Sequence, residues 1–330
     1  MRRFLGPAAA LGVLLLLDRW VPAATNDYHF QVLMLIGINI VLAVSLNLVN
    51  GFTGQFSIGH AGFMAVGAYA SAKFSLELGK PLVASMAALP APLAQGVALL
   101  FALTAGGLLA AVAGWLVGLP SLRLRGDYLA IVTLGFGEII RVVILNVEAI
   151  GAARGLPDIP QWASFFWVFG TVVVVVTLAR HIAASTHGRA MFAIRDDEVA
   201  AEALGVDTTR YKVVAFVIGA FFAGVAGGLS AHFLSYLNPS SFTFLKSIEV
   251  IAMVVLGGMG SVTGSILAAT ILTLLPEVLR PVKDFRMVVY SLMLVILMIT
   301  RPQGLLGTHE LTWTRLRGWF GRRAPAKGAA

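Results

Sequence analysis

Arg195, Asp196, Asp197, Glu198 and Glu202 fall within eight consecutive positions of a chain in which only 12% of residues are charged. A run of this kind offers charge: it can cap a helix and it can dock a complementary surface. Enzymatic signatures do not accompany it. The chain has no G-x-x-x-x-G-K-[ST] loop, no G-x-S-x-G and no H-E-x-x-H, so it neither cradles nucleotide phosphates through a Walker loop nor carries a serine-hydrolase or zinc-protease motif. With zero cysteines, disulfides, thiolate metal sites and cysteine nucleophiles are excluded. His60 has no second histidine or carboxylate at ligand spacing, so no metal site and no cofactor is expected.

A second polar set accompanies two glycine-broken stretches. Asn47, Asn50, Gln55, Ser57 and His60 stand among Gly51, Gly54, Gly59 and Gly62, and Ser261 follows Gly257, Gly258 and Gly260. Non-helical backbone at membrane depth persists only inside protein or along a wet cavity. Interrupted helices in both halves of a chain point to a transport pathway, and these residues are its candidate lining. Tight helix crossings and polar groups bonded to backbone explain the same residues without any path, and a structural role suits His60 better than ligation. A third set is Glu138 and Arg141, three apart and so on one helix face. Charge in a span is costly against lipid, so this pair is expected to be internal or at an interface. Lys246 and Glu249 repeat that spacing.

The elements that must position these residues are transmembrane helices. The chain has 330 residues, 58% of them hydrophobic, and a mean hydropathy of +0.87. Soluble domains carry about twice the charged fraction seen here, so the chain is an all-α polytopic membrane protein. A crossing takes roughly 20 apolar residues. Apolar runs meet that need at Leu5–Val21, Phe30–Val49, Leu93–Leu119, Tyr128–Val147, Trp162–Leu178, Val213–Leu237 and Met287–Thr300. The broken stretches are Gly51–Leu78, which must cross once, and Ser247–Leu279, which crosses twice or forms a re-entrant hairpin. The total is eight to ten helices.

Placing the charged run inside puts 15 basic residues on the cytoplasmic side and eight outside, with both termini cytoplasmic, as the positive-inside rule asks. The basic residues are spread between spans, so nucleic acid is not an expected partner. The expected division is an N-terminal helix and outer loop (1–29), a transmembrane domain (30–307) with a cytoplasmic loop (181–212), and a basic tail (308–330).

Within the loop, Asp196 and Asp197 suit a helix start. Val199, Ala200, Ala203 and Leu204 form one apolar face, Gly205 is a stop, and Asp207 or Thr208 can cap the next span. Ala220, Gly224 and Gly228 in that span make a small-residue stripe for close packing. A short amphipathic helix held outside the membrane fits a groove on a partner, or it is simply a solvated hairpin.

At these residues the chain resembles the LivM family, membrane permeases of branched-chain amino acid ABC importers. The likeness rests on Gly54-Gln-Phe-Ser-Ile-Gly-His-Ala-Gly-Phe, Arg125-Gly-Asp-Tyr-Leu-Ala-Ile-Val-Thr-Leu-Gly-Phe-Gly-Glu-Ile, Gly188-Arg-Ala-Met-Phe-Ala-Ile-Arg-Asp-Asp-Glu, Leu256-Gly-Gly-Met-Gly-Ser and Arg301-Pro-Gln-Gly-Leu-Leu-Gly, and spans about residues 30 to 307. It implies a bacterial cytoplasmic (inner) membrane subunit with a LivH-type sister permease, two cytoplasmic ABC ATPases and a periplasmic or extracellular solute-binding protein, in a lipid bilayer. The implied fold is that of the vitamin B12 importer's membrane subunit, a type II ABC importer. The resemblance also implies that Arg195, Asp196, Asp197, Glu198, Ala200, Glu202, Ala203, Leu204 and Gly205 form the ATPase-coupling element, with Glu202-Ala203-Leu204-Gly205 in place of a regular Glu-Ala-Ala…Gly. Importers of urea, short-chain amides or other amino acids have related permeases, and a stand-alone ion-coupled carrier is the alternative of a different class.

Overall fold

The computed structural model describes residues 2–122, 127–280 and, towards the C-terminus, 291–292, 295–296, 299–300, 304–307 and 310. The expected span Met287–Thr300 and the basic tail therefore lie largely outside the described residues, as do Arg123, Arg125 and Arg301. The described chain is helical. Its helices are α1 (Arg2–Ala24), α2 (Asp27–Asn50), α3 (His60–Phe74), α4 (Lys80–Ser85), α5 (Ala91–Ser121), α6 (Asp127–Asn146), α7 (Phe165–Ala184), α8 (Thr186–Asp196), α9 (Glu198–Ala203), α10 (Thr208–Leu234), α11 (Phe244–Gly257) and α12 (Val262–Val278). A π-helical turn, Ser75–Gly79, joins α3 to α4.

Six helices among the described residues are long and apolar enough to cross a membrane, in the segments Asp27–Asn50, Ala91–Ser121, Tyr128–Asn146, Phe165–Ala184, Thr208–Leu234 and Pro239–Gly257, and Val262–Val278 is a shorter apolar helix. The stretch expected to cross once, Gly51–Leu78, is a non-helical segment at 51–59 followed by α3. The stretch left open between two crossings and a hairpin is two helices, α11 and α12, of 14 and 17 residues, or about 21 and 25 Å of rise.

The core is built by α2, α3, α5 and α10. Small residues set its spacing. Gly67 of α3 and Gly224 of α10 face each other so closely that a side chain on Gly67 would enter the Gly224 backbone, while Gly224 also meets Ala110 and Gly106 of α5. Gly228 sits against Ser71 and Leu103. The stripe Ala220, Gly224, Gly228 is thus a three-helix contact, where dispersion between close backbones replaces the hydrophobic drive that lipid cannot supply.

At one end of the bundle the 147–164 connection is stitched to the end of α10. Leu156 and Leu237 exchange backbone hydrogen bonds, Tyr236 donates to the Arg154 carbonyl at 2.7 Å, and His232 bonds Pro160 O, Ser71 and Ser75 while stacking on Trp162. The charged run lies at the other end, with the end of α2 and the α11–α12 turn.

Candidate functional site

The two glycine-broken segments, far apart in sequence, meet at the end of α2. The Asn47 side chain is wholly buried and spans the gap between them: its Oδ1 accepts from Gly260 N at 2.8 Å and its Nδ2 donates to Ser261 O at 3.1 Å. Gly258 and Gly260 have φ of +107° and +92°, conformations that glycine alone adopts freely. Gly257 lies directly on Gly264, closing α11 on α12. Ser261 then caps α12 through Gly264 N at 3.1 Å.

Arg195, the last basic residue of α8, reaches into this junction. Its Nη1 donates to Gly51 O at 3.2 Å, its guanidinium lies 5.0 Å from the Phe192 ring centre, and its Nε and Nη2 bond Asp196. Gly54, with φ +70°, faces the Arg195 backbone and Cγ, and a side chain on Gly260 would collide with the guanidinium. Phe52 completes the grip, its ring 4.9 Å from that of Phe192.

Further motifs join the same seam. Ile58 N donates to Thr133 Oγ1 at 3.1 Å, and Gly62 abuts Gly137. Leu305 N donates to Leu256 O at 2.7 Å. The Glu310 carboxylate accepts from Val262 N at 2.5 Å and Thr263 Oγ1 at 3.0 Å, capping the start of α12. Neither Thr133 nor Glu310 stands out in the sequence; only a partner distant along the chain gives each a role.

The other polar residues of the first broken segment divide in two. His60 bonds Ser45 Oγ at 2.9 Å and is buried, as a structural histidine would be. Ser57 N donates to Asn50 Oδ1 at 3.3 Å. By contrast, Asn50 Nδ2 and both amide atoms of Gln55 are buried and find no hydrogen-bond partner among the described residues. Unspent polar groups of this kind in an interior call for a reason.

The charged run folds as two helices where one was expected. Residues 186–196 form α8, capped by Ser185 through Gly188 N, with Gly188, Met191 and Ile194 turned inward. Asp196 closes α8 and does not start the next helix. Asp197 does, accepting from Val199 N and Ala200 N at 2.9 and 3.0 Å. Gly205 follows α9 with φ +84°, and Asp207 caps α10 through Arg210 N. Glu198 pairs with buried Lys212 at 2.6 Å, pinning α9 to the start of α10. The apolar face of α9 is left uncovered: Val199 is 63% exposed and Leu204 85%, with Ala200 and Ala203 also exposed.

Arg141 Nε and Glu138 Oε2 are 2.7 Å apart and partly exposed on α6, with Glu138 lining a small cavity beside Ile58, Gly62 and Ser247 at the seam. Lys246 bonds Glu249 and Asn39, and Asn39 bonds Thr273, tying α11, α2 and α12 together.

Residues 28–300 match the family described as the branched-chain amino acid transport system permease component. The chain belongs to that family. It is 38% identical over 82% of its length to the high-affinity branched-chain amino acid transport system permease protein LivM of Salmonella typhimurium, covering 68% of that protein, and equally similar to LivM of Escherichia coli. It is 31% identical over 47% of its length to LivH of Escherichia coli, covering half of it. No solved structure matches the chain. Membership makes it a multi-pass permease, and the five motifs that carry the likeness are those that meet along the seam.

Proposed function

We propose that this chain is the membrane permease subunit of an ATP-driven importer of branched-chain amino acids, passing the work of a partner ATPase from α8–α9 into the broken helices. The names of the LivM and LivH relatives support the cargo and a LivH-type sister permease. The observation that carries the mechanism is the Arg195 contact: one side chain joins the helix pair outside the bundle to Gly51 and packs at Gly260.

The uncovered face of α9 is the docking surface for an ATPase, and α8 is the lever. Two ATPases bind nucleotide, a solute-binding protein delivers the amino acid, and the chain hydrolyses nothing itself. The ATPase dimer has different affinity for two permease states, and that difference moves the equilibrium between them. Motion of α8 shifts Gly51 and the α11–α12 turn together, because Asn47 holds these two to each other. Asn50 and Gln55, whose amides retain unspent donors and acceptors, are the groups we assign to the path.

In this reading α11 and α12 are full crossings, the chain makes ten, both termini are cytoplasmic, and the architecture is that of the vitamin B12 importer's membrane subunit. The test is reconstitution into liposomes with a LivH-type sister permease, the ATPases and a solute-binding protein. ATP-dependent accumulation of leucine is the expected result. Accumulation by this chain alone under an ion gradient would establish a carrier instead, and ATP-driven uptake of urea but not leucine would replace the cargo.

A further inference from the structure

Where α1, α5 and α7 diverge, the bundle has a cleft on its side. α1 packs mainly against α7, leaving a space of about 590 Å³ towards α5 at the end of the bundle opposite the charged run. A second space of about 290 Å³ continues it inward along α7 and α10. Leu100, Phe166 and Trp167 line both, so the two form one groove.

Its lining changes along its length. The inner part is almost entirely apolar, walled by side chains such as Leu103, Val174 and Phe221. The mouth holds Asp18, Gln95 and Gln161 beside Trp162. From Phe166 to Val174 the groove follows α7 for eight residues, about 12 Å, most of the depth of one leaflet of a hydrocarbon core about 30 Å thick. An apolar floor, a polar mouth with an interfacial tryptophan, and a depth of most of one leaflet match a phospholipid lying with an acyl chain in the groove. A free amino acid fits poorly, since its two opposite charges need two partners and the inner wall has none.

The charge at the mouth specifies the head. Asp18 is the charged side chain among the lining residues. One of its oxygens accepts from Phe166 N at 2.7 Å, which holds the carboxylate at the groove. We infer that this groove is a binding site for an amine-headed phospholipid of the ethanolamine type, its ammonium at Asp18 and one acyl chain between α1 and α7.

Native mass spectrometry of the full chain in mild detergent, with phosphatidylethanolamine or phosphatidylglycerol of identical chains added back, reads this directly. Gly170 lines the inner groove, and a Cβ there meets only the Leu11 side chain, at 3.7 Å, so Gly170→Trp directs its ring into the groove. Gly135, exposed with nothing within 4 Å, gives Gly135→Trp as a lipid-facing control. Asp18→Asn keeps an oxygen for Phe166 N and removes the charge. The expected result is one retained phosphatidylethanolamine, held several-fold better than phosphatidylglycerol by the wild type and by Gly135→Trp. Gly170→Trp loses it, and Asp18→Asn holds both lipids equally. Equal retention of the two lipids by the wild type, or undiminished retention by Gly170→Trp, overturns the assignment.

Discussion

The Arg195 guanidinium donates to the carbonyl of Gly51 at 3.2 Å across 144 residues of chain, and this bond ties the helix pair outside the bundle to the end of α2. A bond from a charged donor is worth about 1.5–3 kcal/mol. If it transmits motion, Arg195→Ala lowers leucine uptake on the order of ten-fold or more at unchanged membrane levels. Arg195→Lys recovers part of the rate, since lysine supplies a donor but not the guanidinium plane that lies over Phe192. Uptake by both variants, normalised to an immunoblot of the membrane fraction, checks it.

Asn47 joins the broken segments through Gly260 N and Ser261 O. Asn47→Ala leaves the part-buried Gly260 N without its acceptor, at a cost of about 1–3 kcal/mol, and removes one donor from Ser261 O, which keeps Ser265 N and Oγ. The unfolding midpoint in detergent falls by several degrees, and Asn47→Leu, which restores bulk but no bonds, falls with it.

The glycines separate by what surrounds them. A methyl on Gly257 meets the Gly264 backbone, whereas one on Gly135 meets nothing. Gly257→Ala loses folded protein in a fluorescence-detected size-exclusion assay, and Gly135→Ala matches the wild type or gains slightly from its higher helix propensity.

Glu138 and Arg141 predict a sign that single variants alone cannot give. Breaking a pair in an apolar setting strands a charge, whereas removing both does not. Glu138→Ala and Arg141→Ala each reduce the amount of folded protein more than the double variant does. The same four chains in the size-exclusion assay test this.

How far the chain could be read from its letters depended on the range of each interaction. The stripe Ala220, Gly224, Gly228 was legible because helix periodicity puts the three on one face, and that face is where α3 and α5 lie. The caps at Asp197 and Asp207 were legible because a cap bonds two or three residues ahead. The α8 helix was not: its eleven residues include five that are charged or polar, and its inward face of Gly188, Met191 and Ile194 is too narrow to stand out. Asn47 looked like a residue lining a path, and the structure places it as a tie between segments. Its partners are more than 200 positions away, and spacing carries no information at that separation. The number of crossings in 247–279 is not legible for a related reason: Gly257 against Gly264 closes a hairpin of either depth.

If α9 receives the work of an ATPase, Leu204, 85% exposed at its end, is the side chain that meets it most directly. ATP-driven leucine uptake is measured for Leu204→Asp, reconstituted with its partner subunits at wild-type levels. Coupling through α9 predicts uptake near background with an unchanged unfolding midpoint, because the side chain touches a partner and not the fold. Uptake at the wild-type rate would contradict it.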